Sequence, residues 1–343
     1  MNDLTVHTYS TKDRLPSSLM EDNFFHSRKL FELSMMTPRH KPYLITMEND
    51  EGLVIAQLLA LVRYRASLLP PYFYMQCRVL GEGTYRRADG SSCALYGHDS
   101  NRTDEETEYH AQLFSEMIEA LKKIMDRRVL FIEVSNLSQK MFGYRSLKRN
   151  GFFPIKWMSI HNSLHSRPAE ERINNRLKRH IDYSISRGVT TVEVHSNEDF
   201  NAFIKLLRRH HWLKPRRYIP ANEFFKGIME DAHGKLSITR YQKNVIGCTA
   251  IVYSQGQAYL WYSAYRRKTF AYLHPADITI WNAIKKAQED KCEHIYFMDV
   301  GLPFQKNRYR EFILSFGGKP VSTYRWFHCR IGWINKLLGN IYS

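Results

Sequence analysis

Runs and alternations of apolar residues divide the chain into two series of elements in the same order. The first series begins with a helical pattern over residues 23–36. Two strands follow, "PYLITM" and "GLVIAQLLALVRYR", joined at the polar turn "ENDEG". A third strand lies around residues 72–80, ahead of the loop "GEGTYRRADGSSC". The helix "TDEETEYHAQLFSEMIEALKKIMDRR" carries acids at its start and bases at its end, which suits the helix dipole. Then come the apolar strand "VLFIEVS", a short basic helix stopped by Gly151, and the strand "PIKWMSIHNSL".

The second series opens with "AEERINNRLKRHIDYSISRG". Ile173, Leu177, Ile181 and Ile185 fall at spacings of four, and Arg172, Arg176, Arg179 and Tyr183 form a second, polar stripe. The strand "VTTVEVH" precedes a helix, "SNEDFNAFIKLLRRHHWLK", with Ser196 or Asn197 as its cap. Strands are expected at 235–241, 245–253 and 258–263, then a helix from Pro275, the strand "HIYFMDVG" and a last strand at 321–328 that finishes this half.

The helix at 105–126 and strand at 129–135 match the helix at 276–290 and strand at 294–300. "YRSLKRN-GFFP" matches "YREFILSFGGKP", pairing Tyr144 with Tyr309 and Arg145 with Arg310, each 165 residues on. Repetition at this scale predicts duplicated α/β units with mixed sheets flanked by helices, residues 1–165 and 166–343, the second with a basic helical insertion.

A net charge of +16 favours anionic partners: nucleic acid, phosphorylated substrates or an anionic membrane face. "KLLRRHHWLKPRR" (205–217) holds six cations and no acid, and residues 301–343 hold seven cations and one glutamate. Arginine forks match phosphate oxygens, and interleaved aromatic rings stack on bases or sit at a membrane interface. Arg176, Arg179, Arg216, Arg217 and Tyr218 are therefore candidates for holding an anionic acceptor, against the alternative of a solvated surface. The ending "RWFHCRIGWINKLLGNIYS" either rests on an anionic membrane or folds as a strand and helix docked on the domain.

Five scattered cysteines without a CxxC pair suggest neither a zinc site nor a disulfide framework. His210 and His211 are adjacent, and neighbouring helical side chains diverge, so no metal is expected. No signal-peptide pattern is present, and the longest apolar run, 53–62, is too short to span a bilayer; a cytoplasmic location is expected, peripheral at most to the inner membrane face. No serine or cysteine nucleophile pattern stands out.

A strand, a short helix with an aromatic midpoint, then Gly-Phe and another strand, as in "MFGYRSLKRNGF", resembles the end of the GNAT acyltransferase fold. Two such halves around a basic helical insertion resemble the Fem-type double-GNAT transferases and related acetyltransferases, over residues 24–327. The resemblance implies transfer of an acyl or aminoacyl group to an amine by direct attack, on a cell-envelope precursor or lipid. The co-substrate is an acyl-CoA or an aminoacyl-tRNA, no cofactor stays bound, and no DNA partner is expected. Alternatives are an acyl-CoA N-acetyltransferase for small amines, or an RNA- or membrane-binding protein without activity.

In that frame "YLWYSAYRRKTFAYLHPAD" spans the central strand and the following helix start. Backbone N–H groups near Ser263 would hold an oxyanion, and Tyr262 would donate to a leaving group, unless it is simply a strand-favouring core residue. Arg266, Arg267 and Lys268 would meet donor phosphates. Asp299, at a strand end, is either a proton acceptor or a cap; Glu133, its counterpart, is read as structural. Two departures stand out. No glycine-rich turn opens the second long helix, and Ile313 stands where Fem-type chains commonly carry lysine, leaving Lys306 and Arg310 as substitutes.

Overall fold

The computed structural model describes residues 4–68, 71–93, 103–137, 143–212, 218–266, 268–298, 300–303 and 306–342. The chain divides into two compact units, one of Met1–Trp157 with Ser322–Ser343, the other of Met158–Val321. In chain order the first half supplies β1 (Thr5–Tyr9), α1 (Arg28–Met36), β2 (His40–Glu48), β3 (Val54–Leu68), β4 (Pro71–Leu80), β5 (Thr84–Arg86), β6 (Ser92–Cys93), α2 (Asp104–Met125), β7 (Phe131–Ser135), α3 (Tyr144–Arg149) and β8 (Phe153–Ser163). The second supplies α4 (Asn175–Ser186), β9 (Val189–Glu193), α5 (Asn197–His211), α6 (Asn222–Met229), β10 (Gly234–Tyr241), β11 (Asn244–Ser254), β12 (Gln257–Tyr265), α7 (Pro275–Glu289), β13 (His294–Phe297), α8 (Arg308–Leu314), β14 (Lys319–Cys329) and α9 (Gly332–Tyr342).

The repeat is visible in the element order. A three-strand run, a long helix, a parallel strand, a short helix and a last strand occur twice, with β4–β7 and β12–β13 as the parallel pairs. Tyr144 opens α3 and Tyr309 lies in the first turn of α8. The strand β1, α6 and the β5–β6 hairpin were not legible in the apolar pattern.

In the first unit the sheet runs β1-β2-β3-β4-β7, and β14 pairs antiparallel with β7 through Arg325↔Ser135 to Cys329↔Phe131. The last strand therefore does not simply finish the second half, as its position in the sequence suggested. Beyond its parallel pairing with β4, β7 has a second edge to satisfy, and it takes that partner from the far end of the chain. Even positions of β3 (Ala56, Leu58, Ala60, Val62) join Cys77, Val79, Ile132 and Val134 beneath α2. That helix buries Leu113, Phe114, Met117, Ile118, Leu121 and Met125, spacings that keep one face on the sheet. Each large side chain buried there contributes about 1.5–3 kcal/mol. The opposite face is buried too, and Gln57, which interrupts the apolar run there, is satisfied by donating its amide to the Met20 and His26 carbonyls.

The second unit orders its sheet β9-β10-β11-β12-β13, closed by residues 160–163 of β8 antiparallel to β13. The helix α7 covers one face, burying Ile278, Ile280, Ala283, Ile284 and Ala287 on Ile251, Ala258, Leu260 and Phe297. It lies so close to β11 that a Cβ on Gly247 would sit 1.8 Å from the Thr279 hydroxyl oxygen. The expected cap of α5 is Ser196, whose hydroxyl accepts from the Asp199 N–H.

Candidate functional site

The end of β12 runs free of its parallel neighbour. Parallel pairing with β13 covers Gln257↔His294 to Leu260↔Phe297 and stops there, with the Met298 N–H reaching the Leu260 carbonyl at 3.4 Å. Residues 261–265 run on beyond β13 while still paired to β11. The register on β11 shifts between Ala250 and Ile251, where Leu260 pairs with Ile251 and Tyr262 with Ala250. Trp261 is thus the extra residue of a β-bulge.

The bulge has a visible side-chain signature. Consecutive strand residues normally face opposite sides. Here Trp261 and Tyr262 stack on each other at 5.8 Å and both meet α6, Trp261 against Phe224 and Tyr262 against Phe225, edge to face at 5.5 and 5.1 Å. Tyr262 and Ser263 are buried, and the bulge tilts the strand's backbone where its β13 neighbour has ended. A backbone edge of this kind is a source of oriented N–H donors for a developing oxyanion.

Two histidines fix that edge. His210 Nδ1 lies 2.8 Å from the Tyr265 carbonyl and His211 Nε2 lies 3.2 Å from the Ser263 carbonyl. Adjacent helical side chains diverge, which speaks against a shared metal ligand role for this pair. That same divergence lets the end of α5 grip two separate carbonyls of β12. The signal available in sequence was only the unusual "HH" at the end of an amphipathic helix.

The turn into α7 follows directly. Arg266 donates from Nε to the Val245 carbonyl at 2.9 Å and lies over the Phe270 ring, so its guanidinium is committed to the turn's framework. Lys268 is exposed, and Arg267 lies outside the described residues. Phe270 and His274 adopt left-handed backbone at φ 62° and 44°, a conformation glycine adopts without strain. At the first turn of α7, Asp277 takes a 2.7 Å hydrogen bond with His180 Nδ1, and the His180 and His274 rings stack at 3.6 Å. Burial, then the neighbouring His180, hold the His274 pKa below its ordinary value.

Arg176 joins this corner from α4. With Asn174, Leu177, His180, Asp277, Phe312 and Ser315 it lines a cleft of about 210 Å³. That is smaller than the roughly 300 Å³ at which clefts enclose a whole drug-sized ligand, so the corner suits one end of a substrate. Arg179 is exposed on the same helix and donates to the Asn175 carbonyl, away from that lining. Tyr218 is half-buried; Arg216 and Arg217 lie outside the described residues, as does Asp299.

At α8, Asn307 caps the helix, its side chain accepting from the Tyr309 and Arg310 N–H groups at 3.0 and 3.3 Å. Arg310 donates to the Leu302 carbonyl at 2.6 Å, so it braces the preceding loop, while Lys306 is exposed. Ile313 is fully buried in the apolar core beside Phe316. A lysine there would carry a heavy desolvation cost, which accounts for the apolar residue.

Two groups of potential metal-ligand atoms occur among the described residues, His180–His274–Asp277 and Cys93–Glu106–His110. The stacked rings of the first are inclined by only 4°, so their in-plane lone pairs run parallel instead of converging on one ion. In the second, Glu106 is engaged by Arg87 at 3.3 Å.

Residues 171–327 match a family model described as an acetyltransferase (GNAT) domain. No curated protein matches the chain by sequence. Among solved structures, FemX superposes with a TM-score of 0.64 at 11% identity, covering 97% of this chain and all of its own. L-PGS from Bacillus licheniformis gives a TM-score of 0.54 at 10% identity, covering 86% of this chain and 88% of its own. A C-terminal domain assigned to a lysylphosphatidylglycerol synthetase of Agrobacterium fabrum gives 0.57 at 9% identity, over 91% and 89%. At these identities the likeness is one of fold.

Proposed function

From the match of residues 171–327 to the acetyltransferase (GNAT) domain model, we propose that this protein transfers an activated acyl or aminoacyl group to an amine of a cell-envelope precursor or lipid. The observation that carries the reading is the free, bulged end of β12, gripped by His210 and His211. The fold shared with a lysylphosphatidylglycerol synthetase domain supports a lipid or envelope acceptor, and the net charge of +16 favours an anionic one.

The amine lone pair attacks the carbonyl carbon of a thioester or ester, and the C=O π electrons move to oxygen. Backbone N–H groups at residues 261–263 stabilise that oxyanion. Collapse re-forms the carbonyl and expels the thiolate or ribose alkoxide, which Tyr262 protonates. The ammonium proton leaves to Asp299 or water. Arg176 and the exposed Lys268 and Lys306 attract the anionic ends of donor and acceptor. The donor class is open between acyl-CoA, which GNAT domains generally use, and aminoacyl-tRNA. The turn without glycine and the Asp277 carboxylate in the first turn of α7 disfavour a pyrophosphate seated on that helix start. These same features support the runner-up reading of a binding protein without turnover.

Thermal stabilisation against acetyl-CoA, longer acyl-CoAs, charged tRNA and uncharged tRNA separates the readings. A donor at a hundredfold its Kd raises stability by about 2.7 kcal/mol. A shift with charged tRNA that exceeds the uncharged one assigns the aminoacyl donor, and a shift with a CoA ester assigns the other. No shift with any of the four sinks the transferase reading. With the donor identified, His211→Phe keeps the ring's bulk and removes its hydrogen bond to Ser263. Turnover is expected to fall about tenfold with KM nearly unchanged, as befits a group that positions the oxyanion edge.

A further inference from the structure

The last helix carries three of its large apolar residues on the wrong side for a docked element. One edge of α9 is fixed to the first unit. The Asn335 side chain accepts from the Cys329 N–H at 2.7 Å and donates to the Gly151 carbonyl at 2.9 Å, and Tyr342 stacks on Phe153 at 6.3 Å. Gly339 faces Phe153, whose Cβ lies 4.0 Å from the position of an added Cβ. The opposite face should be polar if it met only water. Instead Trp333, Leu337 and Ile341, spaced by four, are 70%, 52% and 62% exposed.

The charges around that row indicate what covers it. Lys336 lies beside Leu337, Arg330 is exposed just ahead of the helix, and no aspartate or glutamate follows Glu311 to the end of the sequence. Exposed apolar side chains including a tryptophan, set in a wholly cationic segment, complement anionic headgroups over acyl chains. The helix has 11 residues, far below the roughly 20 needed to cross a bilayer, so it would lie in the interface plane.

We propose that the outward row of α9, Trp333, Leu337 and Ile341, seats the protein on an anionic membrane surface. The assignment stands apart from the transfer chemistry, because vesicle binding is read without any donor present.

Co-sedimentation with vesicles of phosphatidylcholine, alone or mixed with phosphatidylglycerol, tests it on the full chain. The protein is expected to bind the mixed vesicles more tightly, and added salt should weaken the binding. The triple variant Trp333→Ser, Leu337→Ser, Ile341→Ser is expected to bind at least about tenfold more weakly with an unchanged melting temperature, since the three side chains support no core. Arg330→Gln with Lys336→Gln should erase the preference for anionic vesicles. No binding to the mixed vesicles, or equal binding by the triple variant, overturns the proposal. So does a dimer in solution that the triple variant dissociates, which would give the face to a second copy of the chain.

Discussion

Replacing Glu133 with alanine is expected to cost about 3–5 kcal/mol of stability, the loss that follows when one member of a buried ion pair is removed. The residue lies on β7, 4% exposed, on the sheet face away from α2. Its carboxylate is 3.1 Å from Arg325 Nη1 and 3.5 Å from Arg78 Nε, takes the Ser135 hydroxyl at 2.8 Å, and accepts from the Gln76 amide. Arg325 in turn covers the Trp157 ring at 3.8 Å. Burial pushes the carboxyl's pKa up, but Arg78, Arg325, Ser135 and Arg63 outweigh it and hold the value below the ordinary one. Alanine leaves the guanidinium groups desolvated without their counter-charge. Glu133→Gln keeps the shape and the acceptor oxygen, so it should cost less. Urea unfolding of the three proteins decides the matter: a loss under 1 kcal/mol for alanine would show that water or other groups already satisfy the arginines.

Acid is expected to destabilise the fold well above the range in which carboxylates titrate. Burial lowers the pKa of His26 to about 3, and its neutral Nδ1 accepts the Leu59 N–H at 2.9 Å. Burial likewise lowers His40 and His161 to about 4, with Arg63 adding to the first and His294, Lys319 and Arg172 to the second. The sign follows from proton counting. Above pH ~6.5 these rings are neutral in both folded and unfolded chains, and their contribution is fully present. Between pH ~6.5 and the depressed values the unfolded chain binds protons that the folded one refuses, so stability falls as the pH falls. For His26 the slope is about 1.4 kcal/mol per pH unit down to about pH 3. His26→Asn keeps an acceptor near Nδ1 and removes the titration. Denaturation midpoints between pH 7 and 4 should fall less steeply for that variant, and an identical slope would remove His26 from the account.

Much of the site's surroundings was legible because the signals are local. The acids and bases of α2, the serine cap of α5, Pro275 at the start of α7 and the apolar run of β3 each depend on residues a few positions apart. The doubled phrase around Tyr144 and Tyr309 exposed the repeat for the same reason. The residue types of the β12–α7 span, aromatic and then cationic, are equally plain in the sequence. How Arg266 and Arg310 are used is not written there. Each guanidinium turns to a backbone carbonyl, of Val245 and of Leu302, and sequence cannot say whether an arginine meets a carbonyl or a ligand.

What the sequence determined by itself is the order of elements, their duplication, their caps and the cationic bias of the chain, all written in local periodicity and composition. Only the tertiary structure decided that Trp261 bulges, that β14 pairs with β7, that His210 and His211 grip the end of β12, and that α9 turns tryptophan, leucine and isoleucine outward. Those outcomes rest on pairings between residues tens to hundreds of positions apart. A strand's register and a helix's docked edge are fixed by the partner's surface, and no window of neighbouring residues contains that partner.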